Sequence, residues 1–185
     1  MRRFLQSRTM AALLVVLAVA IGGGATARED SQALESEAKA SLERLYATNS
    51  SAKLLGSKAA GILVFPTIVK AGFMFGGQIG NGVLLVNGRM AGRYNSIAGS
   101  YGLQAGIQKF GYALFFMNGS ALRFLDQSGG FEIGVGPSIV IVDEGMGKSI
   151  TSSTITQDIY AVVFDQRGLM GGVGVQGSKI TRIGD

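Results

Sequence analysis

The sequence predicts an α+β fold in which N-terminal amphipathic helices pack on a strongly curved, Gly-rich antiparallel β-sheet or small barrel. Three observations predict it. Residues 31–48 repeat apolar side chains at helical spacing. From Gly61 onward, short apolar runs alternate with turn residues. Glycine, 29 of 185 residues, falls inside those runs as well as between them. A glycine within a strand marks a bulge, a sharp bend or a close backbone approach, so its repetition in several strands predicts a coiled sheet.

The first 27 residues read as a leader outside that fold. Arg2, Arg3 and Arg8 form a basic start, AALLVVLAVAI (11–21) is apolar, and Ala25-Thr26-Ala27 is a small-residue cleavage site. The apolar run is shorter than the roughly 20 residues that span a bilayer, so a cleaved signal peptide is expected rather than an anchor. The expected organisation is a signal peptide, 1–27, followed by one domain, 28–185. That domain is expected to be periplasmic or secreted and peripherally membrane-associated. With no Cys in the chain, it is expected neither to carry a lipobox lipid nor to form disulfides.

SQALESEAKASLERLYAT (31–48) places Leu34, Ala38, Leu42, Leu45 and Tyr46 on one helix face and Glu35, Lys39 and Glu43 on the other. Asp30 or Ser31 is the expected cap, and SSAKLLGSKA (50–59) is a second, short helix. Ten short strands are then expected: 61–65, 72–79, 82–86, 89–95, 102–108, 112–117, 131–136, 138–142, 159–164 and 169–176. Asn87-Gly88 and Asn118-Gly119 are turn dipeptides, and SALRFLD (120–126) reads as one helical turn capped by Ser120. In the run YALFFM (112–117), Phe115 and Phe116 point to opposite faces, one expected under the helices and the other toward solvent or lipid.

Two glycine motifs imitate nucleotide sites. VDEGMGKS (142–149) ends like a P-loop, but Val142 stands where the loop needs its first glycine, and Asp143 and Glu144 would face an anion. GGVGVQG (171–177) spells G-x-G-x-x-G with Gly172, Gly174 and Gly177, yet the helix, second strand and acidic residue of a dinucleotide fold do not follow it. Neither is expected to bind a nucleotide. Asp143-Glu144 reads as a turn, because adjacent strand residues face apart. The absence of both His and Cys removes most nucleophile–base pairs, the usual zinc sites and haem ligation, so no enzyme, metal or cofactor is expected.

Charge is the remaining signal. Of 17 basic residues three lie in the leader, leaving 14 against 12 acidic, a net charge of +2. No acidic residue occurs between Glu43 and Asp126, an interval holding Arg44, Lys53, Lys58, Lys70, Arg89, Arg93, Lys109 and Arg123. If these share a face they attract anionic surfaces; the bland alternative is scattered cations answered by acidic flanks in three dimensions. Clustered Arg and a nucleic-acid motif are missing, so no nucleic-acid partner is expected.

The blocks GILVFPTIVKAGFMFGGQIGNGVLL (61–85), SYGLQAGIQKFGYALFFMNGSALRFL (100–125), FEIGVGPSIVIVDEG (131–145) and IYAVVFDQRGLMGGVGVQGSKI (159–180) together resemble the SYLF domain family, in order, across residues 31–183. The resemblance implies a domain that binds phosphoinositides or other anionic phospholipids, often through an N-terminal amphipathic helix and basic residues. In some eukaryotic members it also implies actin binding. This chain resembles the bacterial exported members, and no SH3 or FYVE module reads in it. Leu34, Leu42, Leu45 and Tyr46 are the helix face the resemblance selects, although Glu35, Glu37 and Glu43 are ill suited to an anionic membrane. Sheet packing and membrane contact therefore both remain open for that helix.

The expected function is thus non-enzymatic adsorption to anionic phospholipid through Lys53, Lys58, Lys70, Arg89, Arg93, Lys109 and Arg123. The alternative is a cell-envelope domain that binds a protein partner and has no lipid role.

Overall fold

The computed structural model describes residues 28–127, 131–132, 138–142 and 153–183. The chain divides into Met1–Leu34, of which residues 28–34 are described and helical, and a compact unit, Glu35–Asp185. Helix α1 covers 28–48, starting before the expected cap at Asp30 or Ser31. Helix α2, Ser50–Lys58, is capped by Asn49, whose side chain accepts from the Ala52 N–H at 2.9 Å. Ala38, Leu42 and Leu45 of α1 and Ala52 and Leu55 of α2 are buried, as their helical spacing requires. Two polar contacts reach from α1 to the strands: Thr67 Oγ1 donates to Glu37 Oε1 at 3.4 Å, and Arg44 meets Asp165 at 3.4 Å.

The expected ten short strands are instead three long ones and two short ones among the described residues. Strand β1 runs Gly61–Val86, β2 Arg89–Phe116 and β5 Ile159–Ile183; β3 is Phe131–Glu132 and β4 Ile139–Val142. Glycines that looked like breaks are bends within continuous strands. The order is β1-β2-β5-β3, antiparallel throughout, and β4 adds to β5 in parallel, so the sheet is mixed rather than purely antiparallel. It is not closed into a barrel. Asn87 and Gly88, with φ of 51° and 73°, form the tight β1–β2 hairpin that the Asn-Gly dipeptide predicts.

A straight strand of 26 residues would extend about 85 Å. Strand β1 does not, because it folds back on its own first half. A Cβ on Gly82 would lie 2.6 Å from the Phe65 ring and 2.7 Å from the Val64 carbonyl oxygen; one on Gly72 would lie 2.5 Å from Gly76 Cα. The face bearing Gly72, Gly80 and Gly82 is therefore the inside of the fold. One core cluster joins Leu63, Phe65, Leu114 and Phe116 from the near halves of the strands to Leu84, Tyr94 and Ile180 from the far halves. Phe65 and Tyr112, paired across strands, stack at 6.4 Å.

Two further expectations are corrected here. Phe115 and Phe116 do face opposite sides, but both are fully buried, so neither meets solvent or lipid. The short helix α3, Gly119–Phe124, is capped by Asn118 and not by Ser120. Asn118 Oδ1 accepts from the Ala121 N–H at 2.8 Å, and the Ser120 hydroxyl donates to the same oxygen at 2.6 Å.

Candidate functional site

The fold distributes the seven cations expected to bind lipid over four elements. Lys53 and Lys58 are exposed on α2, Arg123 is exposed on α3, and Arg89 is exposed beside the hairpin turn. Lys70 pairs with Gln108, whereas Lys109 pairs with Val69. Paired residues share a face and adjacent ones do not, so Lys70 and Lys109 lie on opposite sides of the sheet. Arg93 falls on the same side of β2 as Asn95, Ile97 and Lys109 and is half-buried.

What the fold does assemble is an outer face on the bent part of the sheet. Its cross-strand rows, read β1–β2–β5, run Val69–Lys109–Arg167, Ala71–Ile107–Leu169, Phe73–Ala105–Gly171, Gly77–Gly99–Gly177, Ile79–Ile97–Lys179 and Asn81–Asn95–Thr181. Phe75 lies between the third and fourth of these on the same side of β1. The apolar members are unusually exposed: Phe73 75%, Phe75 69%, Ile79 55%, Ile97 56%, Ile107 62% and Leu169 88%. No Asp or Glu occurs in these three-strand rows, and on β3 the next residue of the Ile79–Ile97–Lys179 row is Glu132. Lys109 and Arg167 are direct cross-strand neighbours and share a small cavity of about 170 Å³ with Arg44 and Asp165. Asp165, held at a φ of 51° where β5 bulges, is the carboxylate paired with Arg44. Among the described residues, no ion pair engages Lys109 or Arg167.

Arg167, Lys179 and the exposed apolar residues did not stand out in the sequence. Arg167 and Lys179 lie outside the acid-free interval, and Phe73 and Phe75 look like ordinary strand residues. The only available signal was the density of glycines around Phe73 and Phe75, which says where a strand bends but not which side it presents.

Elsewhere the polar clusters are structural. The Tyr94 hydroxyl donates to Asp126 Oδ1 at 2.6 Å, and Arg182 reaches Asp126 Oδ2 at 3.3 Å and the Ala91 carbonyl at 3.1 Å. Burial and the Asp126 carboxylate push the Tyr94 phenol well above its ordinary pKa. Burial raises Tyr112 to about 12, and burial with the nearby Glu43 carboxylate raises Tyr46 to about 12. Hydrogen bonds from Asn118 at 2.8 Å and from Ser138 hold Asp158 below its ordinary value, joining the α3 cap to the start of β5.

Among the described residues, no group of three metal-ligating side chains is present, and no helix is long and apolar enough to cross a membrane. The G-x-G-x-x-G stretch lies wholly inside β5, where Gly172, Gly174 and Gly177 pair with Gln104, Gly102 and Gly99. It opens no helix, so the geometry of a dinucleotide turn is absent. Asp143, Glu144 and the P-loop-like Gly147-Lys148-Ser149 lie outside the described residues.

Residues 97–185 match the family model Ysc84, described as Las17-binding protein actin regulator. The match takes in most of β2 and all of α3, β3, β4 and β5, and leaves β1 and the first two helices outside it. A search of curated proteins returns no match.

Proposed function

Because residues 97–185 form a SYLF domain of the Ysc84 family, we propose that the chain is a non-enzymatic protein that adsorbs to anionic phospholipid surfaces. The observation that carries this reading is the outer face of the bent sheet, with Lys109 and Arg167 side by side at one end, no carboxylate in its β1–β2–β5 rows, and Lys179 at the other end, where Glu132 of β3 is its cross-strand neighbour. Each Lys or Arg brought to an anionic bilayer surface contributes about 1 kcal/mol. Three such residues, helped by Arg93 on the same side, reach the range of weak reversible adsorption, and any further affinity requires apolar contact. The site is thereby narrower than the seven cations taken together: Lys109 and Arg93 stay, Arg167 and Lys179 join, and Lys70 lies on the other face.

A non-enzymatic role is supported by the absence of His and Cys from the chain. The three raised tyrosines are also poor acid–base groups near neutrality, since a general base works best with a pKa near the working pH. Export through residues 1–27 belongs to the same proposal and places the protein where envelope phospholipid is the available anionic surface.

Co-sedimentation of the chain lacking residues 1–27 with phosphatidylglycerol vesicles and with phosphatidylcholine vesicles tests the proposal. Binding to the anionic vesicles alone, weakened by salt and lost in Lys109→Glu/Arg167→Glu, is the expected result. Equal binding by that variant, or no binding to either vesicle, sinks it.

The family description favours a second reading, in which the domain recognises a protein partner. Recovery of one stoichiometric partner from an envelope extract, unaffected by added vesicles, would decide for that reading.

A further inference from the structure

We propose that the crest of the folded sheet, carrying Phe73, Phe75, Ile107 and Leu169 on its outer face, inserts into the interfacial layer of an anionic phospholipid bilayer. This rests on the lipid-surface reading above and names the element that makes the contact.

Isolated apolar side chains on a surface need no explanation, but contiguous ones do. These four are contiguous. Ile107 and Leu169 are cross-strand partners in the row beside Phe73, and Phe73 and Phe75 alternate on one side of β1. All four are more than half exposed, up to 88% for Leu169.

The backbone is built to display them. On the inner side of the bend there is no room for a side chain at position 72, where a Cβ would meet Gly76 Cα at 2.5 Å and the Phe75 carbonyl oxygen at 2.7 Å. The inner side being closed by glycine, the outer side is convex, and Phe73 and Phe75 stand at its top. Gly168, immediately before Leu169 within β5, adopts a φ of 95° that glycine allows without strain.

Shape and charge select the occupant. A rigid protein partner must offer a concave match to a convex crest, whereas fluid acyl chains conform to it. The cationic row Val69–Lys109–Arg167 borders the crest on one side, and beyond it on the other Lys179 stands beside its β3 partner Glu132, with no carboxylate in the β1–β2–β5 rows between. Apolar side chains flanked by cations suit the boundary between acyl chains and phosphates. A second copy stacked on this face would bring two Lys109–Arg167 pairs together, with the neighbouring Asp165 already engaged by Arg44.

The chain contains no Trp, so Phe73→Trp places a single fluorescent reporter at the crest. The experiment uses the full chain and, in parallel, the chain lacking residues 1–27, so that the apolar run 11–21 cannot supply the binding unnoticed. With mixed phosphatidylglycerol–phosphatidylcholine vesicles, the indole emission of the Phe73→Trp variant should shift to the blue and be quenched by brominated acyl chains. Phe75→Ser/Leu169→Ser should lower vesicle affinity by about tenfold or more, as loss of buried apolar area at the interface requires. Ile141→Ser, at an exposed position on β4, should bind like the parent, and circular dichroism and thermal unfolding should match for all variants.

Vesicle binding with unshifted indole emission and an unaffected Phe75→Ser/Leu169→Ser variant overturns the crest while leaving lipid binding in place. Failure to bind any vesicle overturns both. Blue-shifted emission from the Phe73→Trp variant in vesicle-free buffer, with dimeric elution abolished by Phe75→Ser, assigns the crest to a second copy and overturns the proposal.

Discussion

Tyr94 shows how a single side chain in this fold acquires a role its sequence context does not announce. It is fully buried, and its phenol is answered by Asp126, which Arg182 steadies from β5. Tyr94→Phe should therefore lower stability by about 1 kcal/mol, the usual net value of one such hydrogen bond, measured by urea unfolding. Asp126→Ala should cost more, because it leaves a buried hydroxyl without its acceptor. The raised phenols set a direction in alkali. A tyrosine whose folded pKa exceeds its unfolded value of 10 stabilises the fold fully below pH 10 and ceases to do so as pH rises through the folded value. Tyr46 and Tyr112, both near 12, thus place the loss between pH 10 and 12, visible as tyrosinate absorbance rising together with unfolding. Asp158 works in the opposite sense. Its folded pKa lies below the ordinary 3.8, so its contribution is present above that pH and is lost as pH falls through the folded value. Asn118→Ala should flatten that acid limb and also remove the α3 cap, worth about 1 kcal/mol.

At the scale of elements, glycine decides the outcome. Gly82→Ala should destabilise by about 1–3 kcal/mol, because its methyl would press into Phe65 and the Val64 carbonyl where β1 folds on itself. Gly99→Ala, with nothing within 4 Å, is the control and should stay within about 0.5 kcal/mol of the parent. Equal effects of the two in thermal unfolding would refute the folded-back strand. The same contrast explains what could be read in advance. The amphipathic spacing of Ala38, Leu42 and Leu45 located α1 and its buried side, and Asn87-Gly88 located the hairpin. Strand number was not legible. A glycine that ends a strand and a glycine that bends one have the same composition, and only cross-strand hydrogen bonding tells them apart. The cap of α3 was missed for a similar reason: Asn118 and Ser120 are both good caps, and the backbone of Asn118, extended at φ −144°, selects it.

Across the whole molecule, a net charge of +5 conceals segregation along the chain. Reversing Lys109 and Arg167 should abolish adsorption to anionic vesicles, whereas reversing Lys70 and Arg123 should leave it nearly intact, although both pairs come from the same chain at the same net cost in charge. Vesicle flotation at low salt distinguishes them, and equal losses would show that overall charge governs binding rather than one face. Periodicity and composition are local properties of the chain, and the α+β class, the helical faces, the Asn-Gly hairpin and the acid-free interval follow from them. Which side of the sheet faces out, which aromatics are exposed and which cations meet were decided only by the tertiary structure. The fold-back at Gly72, Gly80 and Gly82 buries Phe65 and Phe116 and exposes Phe73 and Phe75, residues of the same kind in similar runs. That choice is made by contacts between strand segments far apart in the chain, which no local pattern encodes.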